Sequence, residues 1–162
     1  MFGSNFDVIV GIAVSQVKTR DTDVLILCGG SGTRFREVRN DIPKALAPIN
    51  GTPFIDLILG DLIVQGFQRI ILATGHLSVK IENHLKQRND AEYIISKESK
   101  PLGTGGAIKF AEPYFNSNLI LVLNGDSKIE CYFADLLSFH QKKQANITVL
   151  LSKVTGGKDY GN

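Results

Sequence analysis

Residues 24–34 read VLILCGGSGTR, a short apolar run that passes directly into a loop rich in glycine. The run has the length of a strand and is apolar at every position, which is typical of a strand that helices cover on both faces. Glycine carries no side chain, so the backbone N–H groups of such a loop can approach an anion closely and form a nest for phosphate oxygens. The stretch therefore predicts a buried strand that ends at a candidate phosphate loop.

The loop matches neither of two common nucleotide motifs. It lacks the Gly-Lys-Ser/Thr ending of a Walker loop, and Phe35 stands where a GxGxxG pattern would have its third glycine. A GGSG run alone is most often a flexible turn. Residues 34–44 favour the phosphate interpretation, because their local charge of +2 equals the formal charge of the whole chain and would attract a polyanion.

Outward from this stretch, apolar runs alternate with helix-like segments. Five runs predict strands over residues 24–28, 69–73, 93–96, 119–123 and 147–151. Helical spacing and capping residues predict helices over residues 52–66, 78–85, 104–111 and 135–144. This alternation predicts an α/β fold, a three-layer sandwich with a mostly parallel central sheet.

Residues 1–22 lie outside the alternation and are interpreted as an N-terminal extension of a domain that covers residues 23–162. Residues 6–14 are either an additional edge strand or part of a mobile extension. Gly11 and the polar residues 15–22 leave both alternatives open.

The composition excludes several classes of protein. The 162 residues are 43% hydrophobic and carry 18 basic against 16 acidic side chains, which predicts one soluble domain without a nucleic-acid surface. Residues 8–14 are too few to cross a bilayer and follow no basic residues. Cys28 and Cys131 form no CxxC pair, so a reducing environment is expected. We expect a cytoplasmic protein that binds neither nucleic acid nor membrane.

Two later loops are also candidates for ligand binding. PLGTGGA, residues 101–107, precedes a helix-like run and could approach a flat ring or a phosphate, although such a sequence is more often a plain loop before a helix. NGD, residues 124–126, follows a predicted strand and is by itself usually a turn. It places the Asp126 carboxylate where open α/β sheets bind ligands, and such an oxygen ligand can hold Mg²⁺ against nucleotide phosphates.

The motifs together resemble those of a known family. GGSGTR, residues 29–34, and PKALAPI, residues 43–49, resemble the signature of the sugar-1-phosphate nucleotidylyltransferases. DIPK at 41–44, NGTPF at 50–54 and PLGTGGA are most similar to D-glycero-α-D-manno-heptose 1-phosphate guanylyltransferases. The resemblance implies a Rossmann-like nucleotidyltransferase fold of the GT-A type. It also implies an enzyme that makes an NDP-sugar and pyrophosphate from an NTP, GTP in the closer match, and a heptose or mannose type of sugar 1-phosphate.

The resemblance further implies roles for single residues. Arg34 and Lys44 would contact the triphosphate as catalytic residues, and Asp126 would bind Mg²⁺. The nucleotide would contact Leu27, Gly29, Gly30, Ser31, Gly32, Thr33, Gly103 and Thr104, of which Leu27, Gly103 and Thr104 would lie beside the base.

A sugar 1-phosphate already carries an anionic oxygen, so the reaction needs positioning and charge stabilisation rather than a protein base. Family members continue well past residue 162 with groups that hold the sugar phosphate. The alternative is therefore a non-catalytic nucleotide-binding or regulatory domain derived from this family. Arg34, Lys44 and Asp126 favour the enzyme, and the short C-terminal part favours the alternative. An apolar edge after residues 147–151 would favour association into a homo-oligomer.

Overall fold

A computed structural model of the chain describes residues 18–29 and 42–151. The predicted site residues Gly30, Ser31, Gly32, Thr33 and Arg34 lie outside these residues, as does the edge strand or mobile extension expected at 6–14. None of the described helices is long and apolar enough to cross a membrane.

The described residues form six strands and four α-helices. The strands are β1 (Asp23–Leu27), β2 (Pro48–Ile49), β3 (Thr52–Pro53), β4 (Arg69–Thr74), β5 (Glu92–Lys97) and β6 (Ile120–Asn124). The helices are α1 (Phe54–Val64), α2 (Ser78–Leu85), α3 (Gly103–Ala111) and α4 (Phe133–Lys143), and 3₁₀ turns cover Thr19–Asp21, Lys44–Leu46 and Glu112–Tyr114.

Four of the strands form a parallel sheet in the order β5-β4-β1-β6. The chain moves outward from β1 to β4 and β5, and then returns to place β6 on the other side of β1. In this register, Leu27 at the end of β1 lies beside Ala73 and Asn124. The order of the strands reverses beside β1, and such a reversal opens a crevice at the carboxyl ends of the strands.

Helices cover the sheet on both faces. Val24 and Ile26 of β1 pack in a core with residues of α1, α2 and α4, whereas Leu25 packs in a second core with Ala107 and Ala111 of α3. Alternate side chains of a strand point to opposite faces, which explains why this apolar run serves both cores. The predicted α/β sandwich of three layers with a mostly parallel sheet is confirmed.

Helix α1 shows how the sequence sets its ends. It begins at Phe54 rather than at Pro53, because Thr52–Pro53 pairs with Pro48–Ile49 as a small antiparallel hairpin. It ends at Val64, and the predicted terminating residue Gly66 follows with a φ of 87°, a left-handed conformation that favours glycine. The N–H of Phe67 donates to the carbonyl of Leu62 and closes this helix end.

The predicted strand over residues 147–151 is wrong. These residues form no strand, and Ile147 and Leu151 are 81% and 83% exposed. A parallel strand needs a neighbour for its hydrogen bonds and a helix over its apolar face. Within residues 18–29 and 42–151, β6 pairs with β1 alone, so residues 147–151 pair with no described strand and several of their apolar side chains stay largely exposed.

Candidate active site

A cleft of about 360 Å³ opens at the carboxyl ends of β1, β4 and β6. The residue that follows β5 and the loop before α3 complete its wall. Its position beside β1 is where the strand order reverses, and parallel sheets bind ligands at such a point. The volume lies within the range of small-molecule sites.

Every described residue that the sequence analysis predicted for binding or catalysis lines the cleft. The residues concerned are Leu27, Gly29, Lys44, Gly103, Thr104 and Asp126, and all of them line the cleft. They come from four separate parts of the chain, so the fold and not the sequence spacing brings them together.

Lys44 reaches the cleft from a short turn that the core anchors. The neighbouring Pro43 and Ala45 are buried, and the 3₁₀ turn Lys44–Leu46 leaves the lysine side chain half exposed. Its Nζ donates a hydrogen bond to Oδ2 of Asp126 at 2.7 Å. Both side chains are about half exposed, so water screens the pair and its net contribution to stability is at most about 1 kcal/mol.

Asp126 stands at the rim of the cleft with both carboxylate oxygens engaged. The hydrogen bond from Lys44 holds the pKa of this carboxyl below its usual range. The hydroxyl of Ser127 donates to the other oxygen at 3.1 Å. Asp126 is therefore ionised at neutral pH and already faces one cationic group.

Gly125 fixes the position of Asp126. Its N–H donates to the carbonyl of Leu27 at 2.9 Å, so the turn after β6 lies directly against the end of β1. A Cβ at this position would lie 2.6 Å from Sγ of Cys28 and 3.0 Å from that carbonyl oxygen. The close approach requires glycine, a role that the sequence reasoning missed when it read NGD as a turn with one useful carboxylate.

Within the described residues, no group of three or more His, Cys, Asp or Glu side chains could hold a metal ion. Mg²⁺ does not require such a group, because proteins commonly bind it through one or two carboxylates together with substrate phosphates. Asp126 fits that mode, since it is ionised, lies at the rim of the cleft and already attracts the ammonium of Lys44.

Glu98 is a further residue of the site that the sequence reasoning missed. It follows β5 directly, lines the cleft and is only 8% exposed. Its Oε2 accepts a hydrogen bond from the N–H of Leu102 at 2.9 Å, which ties the end of β5 to the loop before α3. A Cβ on Gly29 would lie 3.2 Å from Oε1. The sequence carried one signal for Glu98: it is an acidic residue directly after a strand, like Asp126 after β6.

Cys28 lines the cleft, and its thiol is held in the protonated form. Burial raises the pKa of its thiol to about 12, and the charge of Asp126 adds to the shift. A thiol acts as a nucleophile only as the thiolate. Cys28 is therefore a protonated packing residue at neutral pH.

Comparisons with known proteins agree with this architecture. The sequence profile of the family described as Nucleotidyl transferase matches residues 23–162. D-glycero-alpha-D-manno-heptose 1-phosphate guanylyltransferases from Aneurinibacillus thermoaerophilus and Campylobacter jejuni are 34% and 39% identical over 140 residues, which is 86% and 85% of this chain. A mannose-1-phosphate guanylyltransferase from Mycobacterium tuberculosis is 31% identical over 147 residues, 88% of this chain and 40% of that protein. The chain spans 61% and 60% of the two heptose-specific relatives.

Solved structures show the same similarity. The crystal structure of HddC from Yersinia pseudotuberculosis is 38% identical, with a TM-score of 0.67 over 74% of this chain and 54% of that one. A second structure of HddC, in complex with GMP-PN, is 37% identical with the same TM-score. These similarities support a Rossmann-like nucleotidyltransferase fold of the GT-A type.

Proposed function

The chain belongs to the nucleotidyl transferase family, and from that premise we propose that it transfers a nucleotidyl group from an NTP to a sugar 1-phosphate. GTP is the preferred donor, and the acceptor is of the heptose or mannose type. One observation carries the proposal: Lys44, Asp126 and the loop before α3 face a single cleft where the strand order reverses. The names of the similar guanylyltransferases support the choice of base and sugar.

In the proposed reaction, an anionic oxygen of the sugar 1-phosphate attacks the α-phosphorus of the nucleotide. A new O–P bond forms, the bond between the α-phosphorus and the bridging oxygen breaks, and pyrophosphate leaves with the negative charge. The attacking oxygen needs no deprotonation, and no histidine lines the described part of the cleft. The protein has to align two polyanions and stabilise the charge that moves to pyrophosphate.

Each residue of the cleft has its own role in the proposed reaction. The ammonium of Lys44 stabilises the triphosphate and the departing pyrophosphate, together with Arg34. The loop residues Gly29, Gly30, Ser31, Gly32 and Thr33 hold the phosphates, and Leu27, Gly103 and Thr104 contact the base. Asp126 would hold Mg²⁺, which supplies charge neutralisation and orientation of the phosphates when bound. In this proposal, residues 23–162 form the nucleotidyltransferase domain and residues 1–22 an extension.

Release of pyrophosphate tests the proposal. The chain is incubated with Mg²⁺, GTP and either mannose 1-phosphate or D-glycero-α-D-manno-heptose 1-phosphate, with ATP, CTP and UTP as competing donors. We expect release that requires both the nucleotide and the sugar phosphate and is fastest with GTP. Binding of GTP without any release of pyrophosphate would favour a nucleotide-binding domain without catalysis, and absence of binding to every nucleotide would contradict the proposal.

A further inference from the structure

The outer side of β6 is an open edge of the parallel sheet. β6 pairs with β1, and no strand within residues 18–29 and 42–151 pairs with its other side. The N–H of Gly125, directly after β6, donates to the carbonyl of Leu27 in β1. Because the N–H groups of a strand alternate between its two sides, those of Val122 and Asn124 point away from β1. Such a row of outward groups is a template for another strand.

The side chains of β6 are those of a strand with neighbours on both sides. β6 reads ILVLN and carries no charge. Leu121 and Leu123 pack in the core with α1, α2 and α4, whereas Val122 on the other face is 37% exposed. Proteins commonly protect a true edge with charged side chains, and the opposite edge strand, β5, has Glu92 and Lys97. The uncharged edge of β6 therefore favours a further strand beside it.

Residues 6–14, FDVIVGIAV, have the composition of such a strand. Five of these nine residues are β-branched, and β-branched side chains favour strands. Positions 8, 10, 12 and 14 are valine or isoleucine, whereas positions 11 and 13 are glycine and alanine. Alternate side chains of a strand share a face, so the larger set suits the side of Leu121 and Leu123 and the smaller set suits the side of Val122.

We propose that residues 6–14 form an additional strand that pairs with the open edge of β6 and runs antiparallel to it. The direction follows from where the described chain begins. The turn Thr19–Asp21 leads directly into Asp23, which lies opposite Ile120 at the start of β6. The carboxyl end of the segment is therefore near the start of β6. This inference goes beyond the proposed function and does not depend on it.

The connection between the segment and β1 is long enough for this placement. Neighbouring strands lie about 4.8 Å apart, so a strand beyond β6 is about 10 Å from β1. The eight residues 15–22 can span up to roughly 26 Å, which leaves room for the turn before β1. A segment on such a short tether has an effective concentration on the order of millimolar. The tether therefore favours the segment of the same chain over a second copy in dilute solution.

Hydrogen exchange of the full chain, followed amide by amide by NMR, tests the placement. We expect alternate amides of residues 6–14, together with that of Asn124, to exchange at least about 100-fold more slowly than in an unstructured peptide. Exchange at the rate of an unstructured peptide throughout residues 6–14 would overturn the proposal.

The variant Val122→Pro examines the edge of β6 directly. It removes an N–H that points away from β1, so the pairing with β1 remains while the proline ring blocks a strand on the outer side. Residues 6–14 should then exchange at least about tenfold faster, with β4 unchanged. The matched control is Lys97→Pro in β5. The N–H of Glu98 donates to Thr74 in β4, so that of Lys97 also points outward, and this variant should keep residues 6–14 protected.

Each remaining outcome decides the proposal. Unchanged protection of residues 6–14 in Val122→Pro, or loss of that protection in Lys97→Pro, would show that β6 is not the partner. Should Val122→Pro unfold the chain, Val10→Asp takes its place and should speed the exchange of Asn124 without affecting β5. Sedimentation at several concentrations gives the mass: protection in a monomer supports the proposal, whereas protection that appears only in a dimer assigns the edge to a second copy and overturns it.

Discussion

Lys44 and Asp126 form an ion pair that links two segments of the chain 82 positions apart. Because the pair is half exposed, neither residue is required for the fold. In the proposed function, the ammonium of Lys44 would stabilise phosphate charge and would compete with Mg²⁺ for the carboxylate.

The first prediction concerns Lys44→Ala. We expect kcat/KM for the release of pyrophosphate to fall at least about a hundredfold, because one charge-stabilising contact in a transition state has about this value. The free energy of unfolding should change by no more than about 1 kcal/mol. Lys109→Ala removes a lysine that is 78% exposed on α3 and serves as control. Equal kinetics in the two variants would remove Lys44 from the mechanism.

A second prediction follows from Cys28. Its thiol has a pKa of about 12 in the folded chain and 9.0 as the unperturbed value. The raised pKa means that the folded chain keeps a proton that the unfolded chain loses, so this contribution to stability is complete below pH 9 and disappears as the pH rises towards 12.

Unfolding by urea at pH 8 and pH 10.5 measures the contribution of Cys28. The wild-type chain should lose about 2 kcal/mol more than Cys28→Ser between these values. Cys131→Ser should show a change in the same direction, because burial raises the pKa of that thiol too. An identical loss in wild type and Cys28→Ser would show that the thiol does not titrate as described.

At the scale of elements, the contact between the turn after β6 and the end of β1 determines where Asp126 lies. Gly125→Ala would place a Cβ 2.6 Å from Sγ of Cys28, and we expect a loss of about 2 kcal/mol or more in the free energy of unfolding together with weaker binding of nucleotide. Gly60→Ala is the matched control, because nothing lies within 4 Å of a Cβ there in the middle of α1. It should stabilise the chain by about 0.5–1 kcal/mol. Equal effects of the two changes on urea unfolding would contradict the close packing at Gly125.

The strands differ in how far the sequence could predict them. The strands β1 and β4 were predictable because nearly every position is buried, so side chains on both faces are apolar. The edge strands β5 and β6 were predictable from their aliphatic runs, although part of each is exposed. The hairpin of β2 and β3 was not, because strands of two residues show no periodicity. Residues 147–151 misled the prediction, since apolar composition does not say whether a neighbouring strand exists.

The site was predictable only in part for a related reason. Motifs in the sequence identified Lys44, Gly103 and Asp126, each by its own local pattern. Glu98 had only the weaker signal of an acidic residue directly after a strand, and its place beside Gly29 depends on the order of the strands. Local motifs thus indicated single residues, whereas the contacts between distant segments required the fold.

For the whole molecule, binding of a ligand to the cleft should stabilise the folded chain. GTP with Mg²⁺ at about 100 times its dissociation constant should add about 2.7 kcal/mol, or roughly 5–10 °C in Tm for a chain of this size. Thermal unfolding with each NTP measures the effect. Asp126→Asn should reduce the part of the shift that depends on Mg²⁺, whereas Asp135→Asn on α4 should leave it unchanged. An absence of any shift with every NTP would contradict the proposed binding.

The central position of β1 has a consequence for how the molecule folds. Val24 pairs with Ile70 on one side and with Leu121 on the other. The first described strand therefore completes its pairing only when strands from the middle and the later part of the chain are present. Pairings between such distant residues slow folding, because a long loop must close before the contacts form. During synthesis, the ribosome must therefore release β6 before β1 acquires its second neighbour. The walls of the cleft meet only at that last step, so acquisition of nucleotide binding would report completion of the sheet in a refolding experiment.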